Sequence, residues 1–447
     1  MAEIIPFRGV VYNPEKINNL VDVTAPPYDV ISPDEQEMYH KKHPQNIIRL
    51  ILGKISENDT PEENRYTRAA DWCLKWQKQE ILLRDNAAAL YFTSIEFMES
   101  GQRITRYGLI ACVGIEPFEK GVVLPHEKTF SGVKSERLEL MKTSHMNFSP
   151  IFSLYSDPDN ILETLKNKVK DKTPDSDFTD MAGHRQVLWR ITDPAVHQYV
   201  AEQMKSETLF IADGHHRYET ALNYRDRLAE TDPDFSPEHP ANYVMMYLAS
   251  MQDPGMLILP AHRLLKEIDS DIIDCFISKA EQYFDLSVIP YINLDNNLES
   301  DKIPDDFISG LLAGGADSKT IGVFMKNNPD LYLLTLKPGV MEKLFAEELG
   351  QTLRELDVSV LTRLIFMEIL GFDQARLDNE KLISYTTIPQ EAVKKVLNNE
   401  CDMAFILNPT KIEQVQQIAS KGLIMPRKST YFYPKVITGQ VLNPLKS

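Results

Sequence analysis

The segment Leu209-Phe210-Ile211-Ala212-Asp213-Gly214-His215-His216-Arg217-Tyr218 gathers four ionisable side chains around one glycine. The apolar run Thr208–Ala212 reads as a strand, and the residues beyond the glycine read as a helix reaching Ala229. Gly214 permits a tight turn between them. The first N–H groups of a helix have no acceptor within it and point outward, where they can hold an anion. The same helix end carries partial positive charge, and each added cation there costs roughly 0.3–1 kcal/mol. Yet this helix opens with His215, His216 and Arg217. Asp213 offsets part of that charge. A phosphate would offset the rest, with Arg217 binding it bidentately and either histidine donating when protonated. A plainer reading makes Asp213 an N-cap and the others a solvated first turn.

A second cluster, Pro125-His126-Glu127-Lys128-Thr129, lies upstream. His126 and Glu127 could form an acid–base pair or ligate a metal. Lys128, Lys134 and Arg137 add positive charge. Ala25-Pro26-Pro27-Tyr28-Asp29-Val30 is a rigid extended turn from which Tyr28 or Asp29 could line a pocket. Arg263, Arg427 and Lys428 sit near expected strand ends. They either face the phosphate corner or are ordinary surface charge.

Composition narrows the options. The chain has 447 residues, 43% of them hydrophobic and 25% charged, as ordinary globular proteins do. A net charge of -17 argues against a nucleic-acid-binding surface, where affinity comes from Lys and Arg neutralising phosphates. The four cysteines are far apart, with no CxxC pair, so they read as buried thiols rather than a zinc site or a disulfide framework. No basic and apolar leader opens the chain, and no apolar run approaches the roughly 18 residues that span a bilayer. A cytoplasmic protein without membrane partners is expected. No GxxxxGK[ST], HExxH or GxSxG motif is present, which disfavours the common nucleotide hydrolases, zinc peptidases and α/β-hydrolases.

The positioning elements follow from caps and periodicity. Ser32-Pro33-Asp34-Glu35 predicts a capping box opening a helix from Pro33 to Lys42. Asn46–Leu52 is Ile-rich and reads as a strand. Helical spacing runs from Glu62 to Glu80 and from Lys134 to Met146. Ala88–Phe97 and Ile104–Ile115 predict a hairpin, and Asp193-Pro194 another helix start. Tyr243–Met251 and Met256–Pro260 suggest a second hairpin. Later segments alternate: a helix at Ile272–Tyr283, strands at Ile321–Met325 and Leu331–Leu336, a helix at Val358–Leu370, a strand at Met403–Leu407, a helix at Lys411–Ser420 and a basic, aromatic strand near Thr430–Lys435. This order predicts an α+β fold of mixed sheets, hairpins and flanking helices. Two regions are expected, 1–260 carrying the phosphate corner and 261–447 as a C-terminal α+β region.

Pro26-Pro27-Tyr28-Asp29-Val30-Ile31-Ser32, Pro125-His126-Glu127-Lys128-Thr129, the Asp213 segment through Ala221, and Met425-Pro426-Arg427-Lys428-Ser429-Thr430-Tyr431 together resemble a bacterial family catalogued as a conserved domain of unknown function. Asp213-Gly214-His215-His216-Arg217 also resembles the central motif of archaeal free-serine kinases, in a superfamily shared with the ParB nucleotide-binding domain and sulfiredoxin. That resemblance implies a ParB/sulfiredoxin-like core in which Gly214, His215, His216 and Arg217 bind phosphate, while Asp213 serves catalysis or orients a metal. Lys128 and Thr129 are added to the phosphate set. Where sulfiredoxin has its reactive cysteine this chain has His215, so sulfinic-acid reduction is not expected. Three functions stay open. The first is a phosphotransferase acting between ATP or ADP and a small hydroxyl compound such as serine or phosphoserine. There Glu127 or Asp213 serves as base, His126 as acid–base partner, and Mg²⁺ is held through Asp213 or Glu127. The second is a non-catalytic nucleotide-binding regulator. The third is a hydrolase with metal held by His126, Glu127, His215 and His216.

Overall fold

A computed structural model describes residues 1–129, 131–291, 302–379 and 381–446. The chain divides into two units, Met1–Leu257 with Phe432–Ser447, and Ile258–Tyr431. The last residues of the chain return to the first unit.

The first unit is built on a nine-stranded mixed sheet. Its strands are β1 (Ile4–Ile5), β2 (Leu90–Glu99), β3 (Gln102–Gly114), β4 (Val123–Leu124), β5 (Ile151–Tyr155), β6 (Ser176–Thr179), β7 (Arg185–Ile191), β8 (Leu209–Asp213) and β9 (Tyr243–Ser250). The order is β4-β8-β5-β9-β3-β2-β7-β6, with β1 also on β3. β8 runs parallel to β4, and β9 parallel to β5; the remaining pairs are antiparallel. β2 and β3 form the expected hairpin. β9 finds its partners in β3 and β5, so the second hairpin drawn from the sequence does not form.

The central strands β5 and β9 are buried at successive positions, so both of their faces are covered. One core gathers Phe92, Leu109, Val113, Ile151, Leu209, Ile211, Tyr218 and Met246. Another forms around Trp76, Ile47, Ile48 and Tyr39. Helix α1 (Pro33–Lys42) begins with the capping box on Ser32 and Glu35. Asn46–Leu52 is not a strand: Ile48–Ile51 makes one helical turn, with Ile48, Leu50 and Ile51 all buried. A short apolar run buried on every side carries no period by which to choose strand or helix. Helices α2 (Arg65–Lys78), α3 (Ser131–Ser144), α4 (Pro194–Met204) and α5 (His215–Thr231) complete the frame, with α3 packed on both α2 and α5. α4 starts on Asp193, whose side chain accepts from Ala195 N.

The second unit carries an antiparallel six-stranded sheet. Its strands are β10 (His262–Leu265), β11 (Phe284–Pro290), β12 (Thr320–Met325), β13 (Asp330–Leu336), β14 (Ile383–Thr386) and β15 (Met403–Ile406), in the order β11-β13-β12-β15-β10-β14. Phe307, Leu311, Phe324, Val393 and Ile406 fill its core. The architecture is mixed α+β.

Candidate functional site

Strand direction assembles the site. Because β4 and β8 are parallel neighbours, with Leu209 opposite Val123 and Phe210 opposite Leu124, both chains leave the sheet at the same edge. His126 follows β4 by two residues and His215 follows β8 by two, so the two sequence clusters emerge side by side. The antiparallel neighbour β5 begins at that edge, Phe152 opposite Asp213, with a register shift between Ile211 and Asp213. Such an irregularity re-aims side chains at the end of a strand.

Gly214 turns the chain with φ of 100° and ψ of 28°, and no side chain caps the helix it starts. A Cβ at this position would fall 2.8 Å from Arg217 Nε, so the guanidinium lies against the bare glycine. Arg217 Nη2 is 2.5 Å from Asp213 Oδ2, and its Nη1 donates to the Pro150 carbonyl. Lys435 Nζ sits 2.6 Å from Asp213 Oδ1. One carboxylate therefore holds two cations at the helix start.

The histidines depart from expectation. His215 is buried and its Nε2 accepts from the His126 backbone N–H at 3.3 Å. It is therefore the neutral tautomer with its proton on Nδ1. Burial, reinforced by the neighbouring His126, pushes its pKa well below the ordinary range. Burial also lowers His216, against the opposing pull of Glu219, Asp29 and Glu127. The helix start thus escapes repulsion by keeping its imidazoles uncharged and by pairing Arg217 with Asp213, before any anion arrives. His126, expected as an acid–base partner, is wholly buried, edge-on to His215 at 4.7 Å and near Phe432 at 6.2 Å. Its backbone N–H and its ring edge both contact the His215 ring.

Glu127 is half-buried and Lys128 exposed on the loop after β4. Thr129 donates to Glu219 Oε1 at 2.6 Å, and Lys134 Nζ lies 2.6 Å from Glu219 Oε2, tying this loop and α3 to α5. Asp29 is exposed, and its charge reaches His216. Tyr28 lines a cavity of about 50 Å³ together with Arg137 and Arg217. Burial raises its phenol to about 12, so it stays a neutral donor. Arg263 and Arg427 belong to the second unit, where they line a cavity of about 230 Å³. There Arg263 Nη2 donates to the carbonyls of Arg427 (3.2 Å) and Lys428 (3.0 Å). Lys435 and Glu219 were missed in the sequence. The only signal for Lys435 was the basic, aromatic run near the C-terminus.

Among the described residues no group of three or more His, Cys, Asp or Glu side chains is placed to hold a metal ion, so the His126–Glu127–His215–His216 ligand set does not assemble. No described helix is long and apolar enough to cross a membrane.

A mixed sheet whose parallel strands deliver a glycine-turned, uncapped helix start beside a second polar loop defines the site. The chain belongs to the family described as "Protein of unknown function (DUF1015)", which matches residues 4–359. No curated protein matches it. Among solved structures it is similar to a conserved hypothetical protein from Pyrococcus furiosus, at 14% identity over 72% of this chain and 92% of that one, with a TM-score of 0.34. A free serine kinase in complex with AMP aligns at 12% identity over 70% and 83%, TM-score 0.32. SbnI with a C-terminal truncation, from Staphylococcus aureus, aligns at 10% identity over 75% and 87%, TM-score 0.33.

Proposed function

We propose that this chain is a phosphotransferase that moves a phosphoryl group between a nucleotide, ATP or ADP, and a small hydroxyl compound. The observation that carries the reading is the uncapped α5 start at Gly214, flanked by two cations, Arg217 and Lys435, held on one carboxylate. Phosphoryl transfer asks a protein mainly to position reactants and neutralise phosphate charge. Backbone N–H groups of the first turn would take phosphate oxygens, and Arg217 and Lys435 would supply positive charge. The motif resemblance to free-serine kinases, with the ParB/sulfiredoxin-like core it implies, makes serine and phosphoserine the first substrates to try.

Asp213 already accepts from two cations, which suits it to holding them and not to taking a proton. Glu127 is then the base: it removes the hydroxyl proton as the new P–O bond forms and the bond to the departing nucleotide breaks. Mg²⁺ is commonly held by one or two carboxylates together with substrate phosphates. Asp213 is engaged by Arg217 and Lys435, so no step is assigned to a protein-held metal.

The engagement of Asp213 also favours a second reading, a nucleotide-binding protein without turnover. Incubating the full chain with ATP and serine, and separately with ADP and phosphoserine, and following ³¹P resonances separates the two. New phosphoserine or ATP supports transfer. Calorimetric nucleotide binding without product supports the second reading. Neither binding nor product removes both.

A further inference from the structure

One buried cation grips the chain where it returns to the first unit. Arg106, on β3, is 0% exposed. Its Nη1 donates to the Tyr433 carbonyl at 3.0 Å and its Nη2 to the Pro434 carbonyl at 2.7 Å. Its Nε donates to the Tyr247 hydroxyl on β9 at 3.3 Å. The guanidinium carbon lies 4.7 Å from the centre of the Phe152 ring. The negative charge of Asp253 reaches it, while the two oxygens of that carboxylate accept from the N–H groups of Tyr107 at 3.0 Å and Gly255 at 2.7 Å. A planar fork of donors fixes the direction of what it binds as well as the distance.

The residue after Pro434 is Lys435, whose Nζ meets Asp213 Oδ1 at 2.6 Å. Phe152, against Arg106, is the register partner of Asp213 across β5 and β8. Arg106 therefore bears on both members of the ion pair. It holds the backbone that carries the cation, and it packs on the strand opposite the anion. Beyond Lys435 the segment is fixed again. Thr438 exchanges backbone hydrogen bonds with Ala25, at 2.8 and 3.2 Å, and its hydroxyl is 2.8 Å from that of Ser149. A lysine ammonium rides on a flexible stem, so its reach is specific only where its backbone is held.

We infer that Arg106 is a positioning residue for Lys435: by clamping the Tyr433 and Pro434 carbonyls it delivers the ammonium to Asp213 beside the Gly214 turn. What Lys435 then does to a phosphate rests on the phosphotransferase reading; the clamp itself does not.

The test is acetylation of the full chain with acetic anhydride, the rate at each lysine being read by peptide mass spectrometry. Arg106→Lys keeps the buried charge and removes the fork, since one ammonium cannot hold both carbonyls in the same directions. Losing one charge-assisted hydrogen bond should raise the population in which the segment is displaced, and with it the Lys435 rate, about tenfold. Lys134, whose side chain is 27% exposed and held by Glu219, should keep its rate. Should Arg106→Lys not fold, Tyr247→Phe removes only the acceptor of Nε and should raise the Lys435 rate about threefold. An unchanged Lys435 rate in the folded variant overturns the proposal. So does a rise that Lys134 shares, because it marks general loosening. Calorimetry with ADP reads the consequence for the site. Arg106→Lys should weaken binding about threefold, the worth of a partly exposed charge contact, and should have no effect in a Lys435→Met background. Equal weakening in both backgrounds overturns the positioning role. Absence of ADP binding by the unaltered chain removes the phosphate reading alone, and the acetylation rates still decide the clamp.

Discussion

Lys435 Nζ lies 2.6 Å from Asp213 Oδ1, although 222 residues separate them in the chain. The other oxygen of the same carboxylate takes Arg217 at 2.5 Å. All three side chains are nearly buried, at 12–13% exposure. Removing the shared anion strands two cations. Asp213→Asn should therefore cost about 3–5 kcal/mol, the range for breaking a buried pair by deleting one partner. Urea unfolding measures this. Because the groups form one network, Asp213→Asn combined with Lys435→Met should cost less than the sum of the single changes. Strict additivity would show that the triad does not act as a unit.

Gly214 is held at a positive φ of 100° with the Arg217 guanidinium against its Cα. Gly214→Ala combines backbone strain, of order 1–3 kcal/mol, with displacement of the guanidinium. In an Arg217→Ala background only the backbone part should remain, so the glycine change should cost less there. Thermal unfolding of the four proteins checks this. Equal costs in both backgrounds would mean that the close approach contributes nothing.

Caps and turns with local chemistry were legible in the sequence. The Ser32 capping box, the Asp193 cap and the β2–β3 hairpin are each fixed by residues a few positions apart. The strand–glycine–helix corner was legible for the same reason. What decides its electrostatics was not. The neutrality of His215 comes from burial and from the His126 N–H, which reaches it across 89 residues. Lys435 arrives because the chain re-enters the first unit after Tyr431. The second hairpin failed because β9 found longer partners in β3 and β5. Local patterning of turn residues cannot weigh such distant competitors.

If Arg217 supplies charge to a transferring phosphoryl group, Arg217→Ala should lower turnover by on the order of 10²-fold, as loss of one such donor does elsewhere. Glu127→Gln should lower it as well while leaving nucleotide affinity near the starting value, since the carboxylate acts on the hydroxyl and not on the nucleotide. Steady-state rates and calorimetry on the same preparations separate the effects. Unchanged turnover in Arg217→Ala would remove the phosphotransferase assignment.

The buried imidazoles make a pH prediction whose sign follows from their lowered pKa values. Burial holds His126 and His215 below the ordinary histidine range, and His262 in the second unit is pushed down to about 3. In the unfolded chain each titrates near its ordinary value of about 6.5. Above that pH both states are neutral and stability is complete. As the pH falls below it, the unfolded chain takes up protons that the folded one refuses, so stability is lost. Each such histidine contributes a slope of about 1.4 kcal/mol per pH unit between its unfolded and folded pKa values. Urea midpoints should therefore fall between pH 6.5 and 5, and His215→Gln should flatten the decline by about one histidine's share. A decline that His215→Gln leaves unchanged would show that this ring protonates in the folded chain.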